Sequence, residues 1–150
     1  MSKLTLATVW LDGCSGCHMS FLDLDERLLA LAELVDIIYS PIVDRKEYPE
    51  HVDIALVEGA VAGNVPSMRN PLGPQAILDR AYLQNASAQP QIPCIVVPRL
   101  LPTVRPIHEF VKVDVFLPGC PPSADTFHAA LTALVTGAPL DVPALTRFGA

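Results

Sequence analysis

The chain has 150 residues and a formal net charge of −6 at pH 7, and this length is sufficient for one domain with its own hydrophobic core. The acidic balance argues against a nucleic-acid-binding protein, because no basic stripe is present to neutralise phosphates. Hydrophobic residues make up 51% of the chain and charged residues 17%, yet no apolar run reaches the roughly 18 residues of a membrane span. We therefore expect the surplus apolar surface to contact a protein partner rather than a membrane.

The first predicted elements are a strand and a helix. Residues 4–11 are apolar and rich in strand-forming residues. Between residues 19 and 35, leucines recur at intervals of three and four, which predicts an amphipathic helix. Asp23, Asp25 and Glu26 fall in its predicted first turns, where negative charge is favoured.

The rest of the predicted core alternates between strands and one further helix. Residues 35–43, 52–58 and 111–117 are strand candidates, and the second of these is apolar enough to be buried on both faces. A final helix is expected over residues 123–136, with a serine as its N-cap and a glycine and a proline beyond its end. This alternation predicts an α/β fold with a parallel sheet and helices on both faces.

A long proline-rich loop region separates the third and fourth strand candidates. It holds eight prolines between residues 62 and 110, with one helical piece at 74–84 and a short edge strand or extended arm at 92–97. Loops of this length inside a compact domain usually carry function or contact a partner. We therefore predict a single domain over residues 1–150, with a core of about residues 1–61 and 111–137 and an interface region of about 62–110.

The cysteines are the candidate functional residues. Cys14 and Cys17 form a Cys-x-x-Cys pair between the first strand and the first helix, where a helix N-terminus lowers the pKa of thiols. Cys120 follows a glycine and precedes two prolines, so a stiff loop is expected to present its thiol. Thiol redox chemistry needs only the pair, structural zinc expects a second tight pair, and an iron–sulfur cluster accepts cysteines from several loops. Cys94, the fourth cysteine, is either a ligand or a small buried hydrophobic residue.

Two other residues are candidates for a supporting role. His18 stands beside Cys17 and could tune a metal site by hydrogen bonding or relay protons. Glu58 ends a predicted strand and could carry a proton or belong to an interface. Equally, His18 could be a surface residue and Glu58 a solvated loop carboxylate.

Several stretches of the sequence together resemble one protein family. They are residues 10–20 (WLDGCSGCHMS), 57–61 (VEGAV), 63–70 (GNVPSMRN), 98–102 (PRLLP) and 118–122 (PGCPP). In this order they resemble the small subunit of a cytoplasmic, bidirectional, NAD-linked [NiFe] hydrogenase. The homologous subunit of respiratory complex I is also similar, but it has adjacent cysteines where this chain has Cys14-Ser-Gly-Cys17.

The resemblance implies a flavodoxin-like domain that holds a [4Fe-4S] cluster, with Cys14, Cys17 and Cys120 matching three of its ligands. The chain would then be an electron-transfer subunit of a hydrogen:NAD+ oxidoreductase in the cytoplasm. Its partners would be the [NiFe] large subunit, which splits hydrogen, and flavin- and NAD-binding diaphorase subunits. In some relatives FMN also lies on this subunit, although no phosphate loop can be assigned here.

The sequence departs from the family at the fourth ligand. The family normally has a Gly-Asp-Cys or Gly-Thr-Cys strand end before the Asn-Val-Pro segment, whereas here Val61 runs directly into that segment. About twenty or more residues are missing, the scale of a parallel crossover connection. Cys94 is then a tentative fourth ligand, and a scaffold subunit without a cluster or a Cys-x-x-Cys thiol oxidoreductase are the alternative functions.

Overall fold

The computed structural model describes residues 3–61, 72–96 and 103–145. Two of the stretches that carry the family resemblance, residues 63–70 and 98–102, lie outside the described residues. The described parts contain a parallel sheet with helices packed against it, as predicted for the α/β class.

The sheet has three parallel strands in the order β2–β1–β3. They are β1 (Leu4–Trp10), β2 (Val35–Tyr39) and β3 (Ile54–Glu58). Each lies within a predicted strand: β1 and β2 end earlier than predicted, and β3 begins later. The central strand β1 is paired along Leu4–Ala7 with β2 and along Leu6–Trp10 with β3, so the carboxyl ends of β1 and β3 lie side by side.

The prediction of one continuous helix over residues 19–35 is wrong. The structure has two short helices instead, α1 (Gly16–Leu22) and α2 (Arg27–Ala32). Between them Asp25 adopts a left-handed conformation with φ of 50°, which interrupts helical hydrogen bonding and which aspartate tolerates better than most residues. The acidic residues expected in the first helical turns therefore lie in or beside this turn, and the first turn of α1 contains no acidic residue.

The remaining helices follow the sheet in the chain. They are α3 (Gly73–Leu78), which continues as a π-helical stretch over Asp79–Gln84, a 3-10 turn at Ile107–Glu109, α4 (Ala124–Thr136) and α5 (Val142–Leu145). The predicted cap of α4 is confirmed, because the Ser123 hydroxyl accepts a hydrogen bond from the Thr126 N–H at 3.2 Å. Gly137 ends α4 at a φ of 69°. In the described ranges no helix combines the length and apolar character that a membrane crossing requires.

The hydrophobic core lies between the sheet and helices α1, α2 and α4. Neighbouring residues of a strand point to opposite faces, and both Leu6 and Ala7 of β1 are fully buried, so both faces of the central strand are covered. Phe21 of α1 meets Phe127 of α4 edge to face, with ring centroids 6.3 Å apart. The core cluster consists of Leu6, Phe21, Leu24, Leu31, Val35, Phe127 and Leu131.

The strand predicted over residues 111–117 does not form. This segment is irregular in the structure, because no described strand lies beside it to complete a ladder. For the same reason β3 is an edge strand, and the expectation that it is buried on both faces is wrong: Val57 is 43% exposed. Residues 92–96, the described part of the segment predicted as a short edge strand or extended arm, also form no strand.

Candidate metal centre

The loops that follow β1 and β3 are joined at the carboxyl edge of the sheet. The Leu11 N–H donates to the Glu58 carbonyl at 2.9 Å, and Asp12 and Ala60 exchange two backbone hydrogen bonds of 3.2 Å each. A Cβ at Gly59 would lie 2.8 Å from the carbonyl of Asp12, and Gly59 has a φ of 90°, so only glycine fits this approach. The junction fixes where the segment after β1 begins.

That segment carries the Cys14–Cys17 pair into α1. Ser15 takes a left-handed conformation with φ of 62° and is the N-cap residue of α1, which places Cys17 in the first helical turn. The Cys14 sulfur lies 3.3 Å from the position that a Cβ on Gly16 would take. Two ring carbons of Pro121 lie 4.0 Å from the same position, so Cys14 and the Cys120–Pro121 loop flank Gly16 together.

The loop that carries Cys120 is attached to α1. Gly119 has a φ of 144°, and a Cβ there would collide with the Pro122 Cα, so the glycine permits the loop to fold against its own prolines. The Ser20 hydroxyl of α1 donates a hydrogen bond to the Pro122 carbonyl. This contact brings Cys120, which is exposed, to the end of the sheet where Cys14 and Cys17 lie.

The electrostatics of Cys17 differ from the expectation for a helix N-terminus. The pKa of its thiol is raised to about 11, first by burial and then by the negative charges of Glu58, Cys14 and Cys120. The expected lowering of the thiol pKa by the helix start is therefore wrong for Cys17. Because Glu58, Cys14 and Cys120 all contribute to the raised pKa, all three lie within electrostatic range of Cys17.

His18 and Glu58 form a pair next to Cys17. One carboxylate oxygen of Glu58 accepts the His18 backbone N–H at 3.0 Å and lies 2.9 Å from the ring Nδ1. Glu58 is 7% exposed, so it is a buried group that holds the start of α1 rather than a solvated loop carboxylate. The other ring nitrogen of His18, Nε2, is buried and has no hydrogen-bond partner among the described residues.

We call the carboxyl edge of the sheet, with the loops that carry Cys14, Cys17 and Cys120, the rim. Its thiols are suitable ligands for a metal, although the described residues do not provide a complete ligand set. All four cysteines are free, and Cys14, Cys17 and Cys120 lie at the same end of the sheet, where the charges of Cys14 and Cys120 act on Cys17. Within residues 3–61, 72–96 and 103–145, however, no group of three or more His, Cys, Asp or Glu side chains is arranged to hold a metal ion. Cys94 is exposed, and no described contact joins it to the other three.

Sequence reasoning missed three residues that shape this rim. Gly59 and Asp12 hold the two loops together, and the Ser20 hydroxyl ties the Cys120 loop to α1. The glycine directly after β3 was the one available signal, since a glycine at a strand end often marks a close backbone approach. A single serine on a short helix carries no comparable signal.

The fold and this rim agree with a family of redox subunits. A family model described as "NADH ubiquinone oxidoreductase, 20 Kd subunit" matches residues 14–97 and 60–134. The chain belongs to this family.

Within the family, its relatives are hydrogenase subunits. The chain is 38% identical to the NAD-reducing hydrogenase HoxS subunit delta of Cupriavidus necator, over 94% of this chain and 83% of that protein. It is 30% identical to a subunit of the F420-non-reducing hydrogenase of Methanothermobacter thermautotrophicus over 94% of this chain, but this match spans only 56% of the relative. The resemblance to hydrogenase small subunits is thereby confirmed.

A solved structure has the same fold. The chain superposes with a TM-score of 0.82 on a chain of the crystal structure of NAD+-reducing [NiFe]-hydrogenase in the H2-reduced state, with 36% sequence identity. The match covers 97% of this chain and 99% of that one. The α/β fold of a hydrogenase small subunit is therefore confirmed.

Proposed function

We propose that this protein is the electron-transfer small subunit of an NAD-linked [NiFe] hydrogenase and that it holds an iron–sulfur cluster at the carboxyl edge of its sheet. The observation that carries the proposal is that two separate segments bring cysteines to one end of the sheet: the Cys14 sulfur and Pro121, the neighbour of Cys120, flank Gly16 within 4.0 Å, and the charges of Cys14 and Cys120 act on Cys17. Cysteines from several loops that meet at one point are the usual ligand arrangement of such clusters. The similarity to NAD-reducing hydrogenase subunits supports the same function.

In this proposal the chain contributes ligands and their surroundings. Cys14, Cys17 and Cys120 hold the cluster, which when bound supplies one-electron transfer. The raised pKa of Cys17 means that its thiol keeps its proton near neutral pH until a metal takes its place. Glu58 fixes the backbone of His18 and hence the start of the helix that carries Cys17.

The proposal also includes the type of cluster, the second cofactor of the family and the partner subunits. By resemblance the cluster is [4Fe-4S], with Cys94 as the tentative fourth ligand. FMN, which lies on this subunit in some relatives, has no site that can be assigned among the described residues. The partners are the [NiFe] large subunit and the diaphorase subunits of a cytoplasmic complex. Catalysis is then expected from the assembled complex and not from the isolated chain.

Metal analysis of the assembled complex tests the proposal. The chain is purified anaerobically with its large subunit, and iron and acid-labile sulfide are measured together with the EPR spectrum after reduction. We expect about four iron atoms attributable to this chain, and a loss of that iron and of the signal in Cys14→Ser, Cys17→Ser and Cys120→Ser. Cys94, which is exposed, provides the matched variant Cys94→Ser. Full loss of the iron identifies Cys94 as the fourth ligand, and retention excludes it. A complex whose iron is unchanged by all three of the first substitutions would contradict the proposal.

A second function has one observation in its favour. The described residues contain no group of three ligands placed to hold a metal, which is what a scaffold subunit without a cluster would show. Normal binding to the large subunit with no iron in this chain would establish that role.

A further inference from the structure

A cavity of about 690 Å³ lies between β3 and the segment 111–117. Residues 52–58 line it along one side and residues 111–117 along the other, while Ala130, Leu131 and Leu134 of α4 contribute to its wall. On its β3 side the cavity adjoins the free edge of the sheet, since β3 pairs only with β1 among the described strands. We call this feature the β3 cleft.

The two long walls of the β3 cleft run in the same direction. Strand β3 ends at Glu58, whose carboxylate binds His18 beside Cys17. Residues 111–117 lead into the loop of Cys120, which acts on the same Cys17 thiol. Both walls therefore lead to the same rim, and a strand placed between them would run parallel to β3.

The side chains that line the β3 cleft indicate the polarity of an occupant. Apolar side chains are exposed along it: Val57 is 43% exposed, Leu134 40% and Phe116 59%. Two buried polar atoms, Thr8 Oγ1 and His18 Nε2, belong to residues that line the same cavity, and neither has a hydrogen-bond partner in the described part of the chain. Buried polar atoms are normally paired, so an occupant should be mainly apolar and bring at least one hydrogen-bonding group.

The alignment with a relative shows that this chain lacks enough residues to form a strand and its connection. The match to the Cupriavidus necator subunit extends over 173 positions, whereas 94% of this chain is only about 141 residues. Some 32 positions of the relative therefore have no counterpart here, and a parallel crossover with its helix and strand needs a dozen or more residues. By the family resemblance, the missing residues fall directly after Val61, which follows β3.

We propose that the β3 cleft is a strand-acceptor site, which takes up an extended, mainly apolar segment of a partner polypeptide parallel to β3. The added strand would pair with the free edge of β3 on one side and give residues 111–117 a neighbour on the other. Such strand addition derives affinity from main-chain hydrogen bonds and specificity from alternate side chains. A second copy of this chain is a poorer occupant, because its own β3 is already part of a sheet and the segment 111–117 stands across the cleft.

Hydrogen exchange with peptide probes tests this proposal. Overlapping 12-residue synthetic peptides covering the unmatched positions of the Cupriavidus necator subunit are added to the full-length, iron-free chain. We expect one peptide to bind with a Kd on the order of micromolar and to slow amide exchange in both residues 54–58 and 111–117. The measurement needs neither iron nor a hydrogenase partner, so its failure is distinct from failure of the proposed function.

A pair of leucine variants supplies the control. Leu134→Asp places a charge in the cleft wall, whereas Leu34→Asp changes a leucine of similar exposure, 46%, that does not line the cleft. We expect Leu134→Asp to weaken peptide binding at least about tenfold and Leu34→Asp to leave it unchanged. The proposal is overturned if no peptide slows exchange in β3 or if both variants weaken binding equally. It is also overturned if the free chain already protects the β3 amides that do not pair with β1, because residues of this chain then fill the cleft. Protection of those amides that is lost on dilution overturns it as well, because a second copy then fills the cleft.

Discussion

At the scale of single residues, Glu58 connects the sheet to the candidate metal centre. It is the last residue of β3, and it holds both the backbone N–H and the ring of His18. Its charge is also the second cause, after burial, of the raised pKa of Cys17. One carboxylate thus holds the start of the helix that carries Cys17 and adds to the rise in the pKa of its thiol.

Substitution of Glu58 should therefore change the titration of Cys17. We expect Glu58→Gln to lower the pKa of Cys17 from about 11 while leaving it above the ordinary thiol value, because burial is the larger cause and remains. The measurement is the rate of alkylation of Cys17 against pH in the reduced, iron-free chain, followed by peptide mass spectrometry. Glu33→Gln is the control, since Glu33 is not among the groups that act on Cys17. An unchanged titration of Cys17 in Glu58→Gln would refute the assignment.

At the scale of elements, the other end of the sheet is held by a reciprocal pair between β1 and the residue before β3. The Asp53 carboxylate accepts hydrogen bonds from the Thr5 N–H at 2.8 Å and from the Thr5 hydroxyl at 2.7 Å, and the Thr5 hydroxyl accepts from the Asp53 N–H at 2.9 Å. These bonds, the backbone one first, hold the pKa of the Asp53 carboxyl below its usual range. The pair sets where β3 begins beside β1.

The lowered pKa of Asp53 predicts a pH dependence of folding stability. Because the folded-state pKa lies below that of the unfolded chain, the contribution is fully present above about pH 4 and is lost as the pH falls through the folded-state value. We expect Asp53→Asn to be less stable than the parent at pH 7, and the difference to shrink in acid. Urea unfolding at neutral and acidic pH measures it.

A second variant of the pair separates the two hydrogen bonds that the Asp53 carboxylate accepts. Thr5→Val removes the hydroxyl but keeps the backbone donor, so part of the pH dependence should remain. If Asp53→Asn and the parent keep the same stability difference at every pH, the carboxylate contributes no linked protonation, and the prediction fails.

At the scale of the whole molecule, one core joins the sheet to α4. Leu131 is 1% exposed and belongs to the cluster that contains Leu6 of β1 and Phe21 of α1. The same helix forms the wall of the β3 cleft through Leu134. Its inner residues therefore stabilise the fold, while its outer ones remain available for a partner.

Truncation of Leu131 should lower global stability. We expect Leu131→Ala to reduce the free energy of unfolding by about 2–5 kcal/mol through lost burial and a residual cavity, which is a large part of the roughly 5–15 kcal/mol of a typical domain. Chemical denaturation monitored by circular dichroism measures the change. Leu29→Ala, at a leucine that is 73% exposed, should stay within about 0.5 kcal/mol of the parent. Equal effects of the two substitutions would contradict the assigned core.

Local sequence signals predicted much of the fold. The three strands β1, β2 and β3 form within their predicted ranges, and Ser123 and Gly137 delimit α4 as their residue types indicate. The helix break at Asp25 was not predicted, because the leucine spacing continues through it and satisfies both helices. The strand at 111–117 was predicted but does not form, since a strand needs a neighbour that periodicity cannot supply.

For the candidate site, the sequence by itself determined which side chains are chemically able to take part, because a Cys-x-x-Cys pair after a strand and a cysteine between glycine and proline are recognisable locally. Only the tertiary structure decided that Cys14 and Cys120 lie close enough for their charges to act on Cys17 and that Glu58 is buried against His18. It also decided that β3, among the described strands, pairs on one side only and adjoins a cavity on the other. The physical reason is that burial, electrostatic range and strand pairing depend on residues distant in the chain. The raised pKa of Cys17 shows this most directly, since the helix start that should lower it is outweighed by burial and by charges from three other positions.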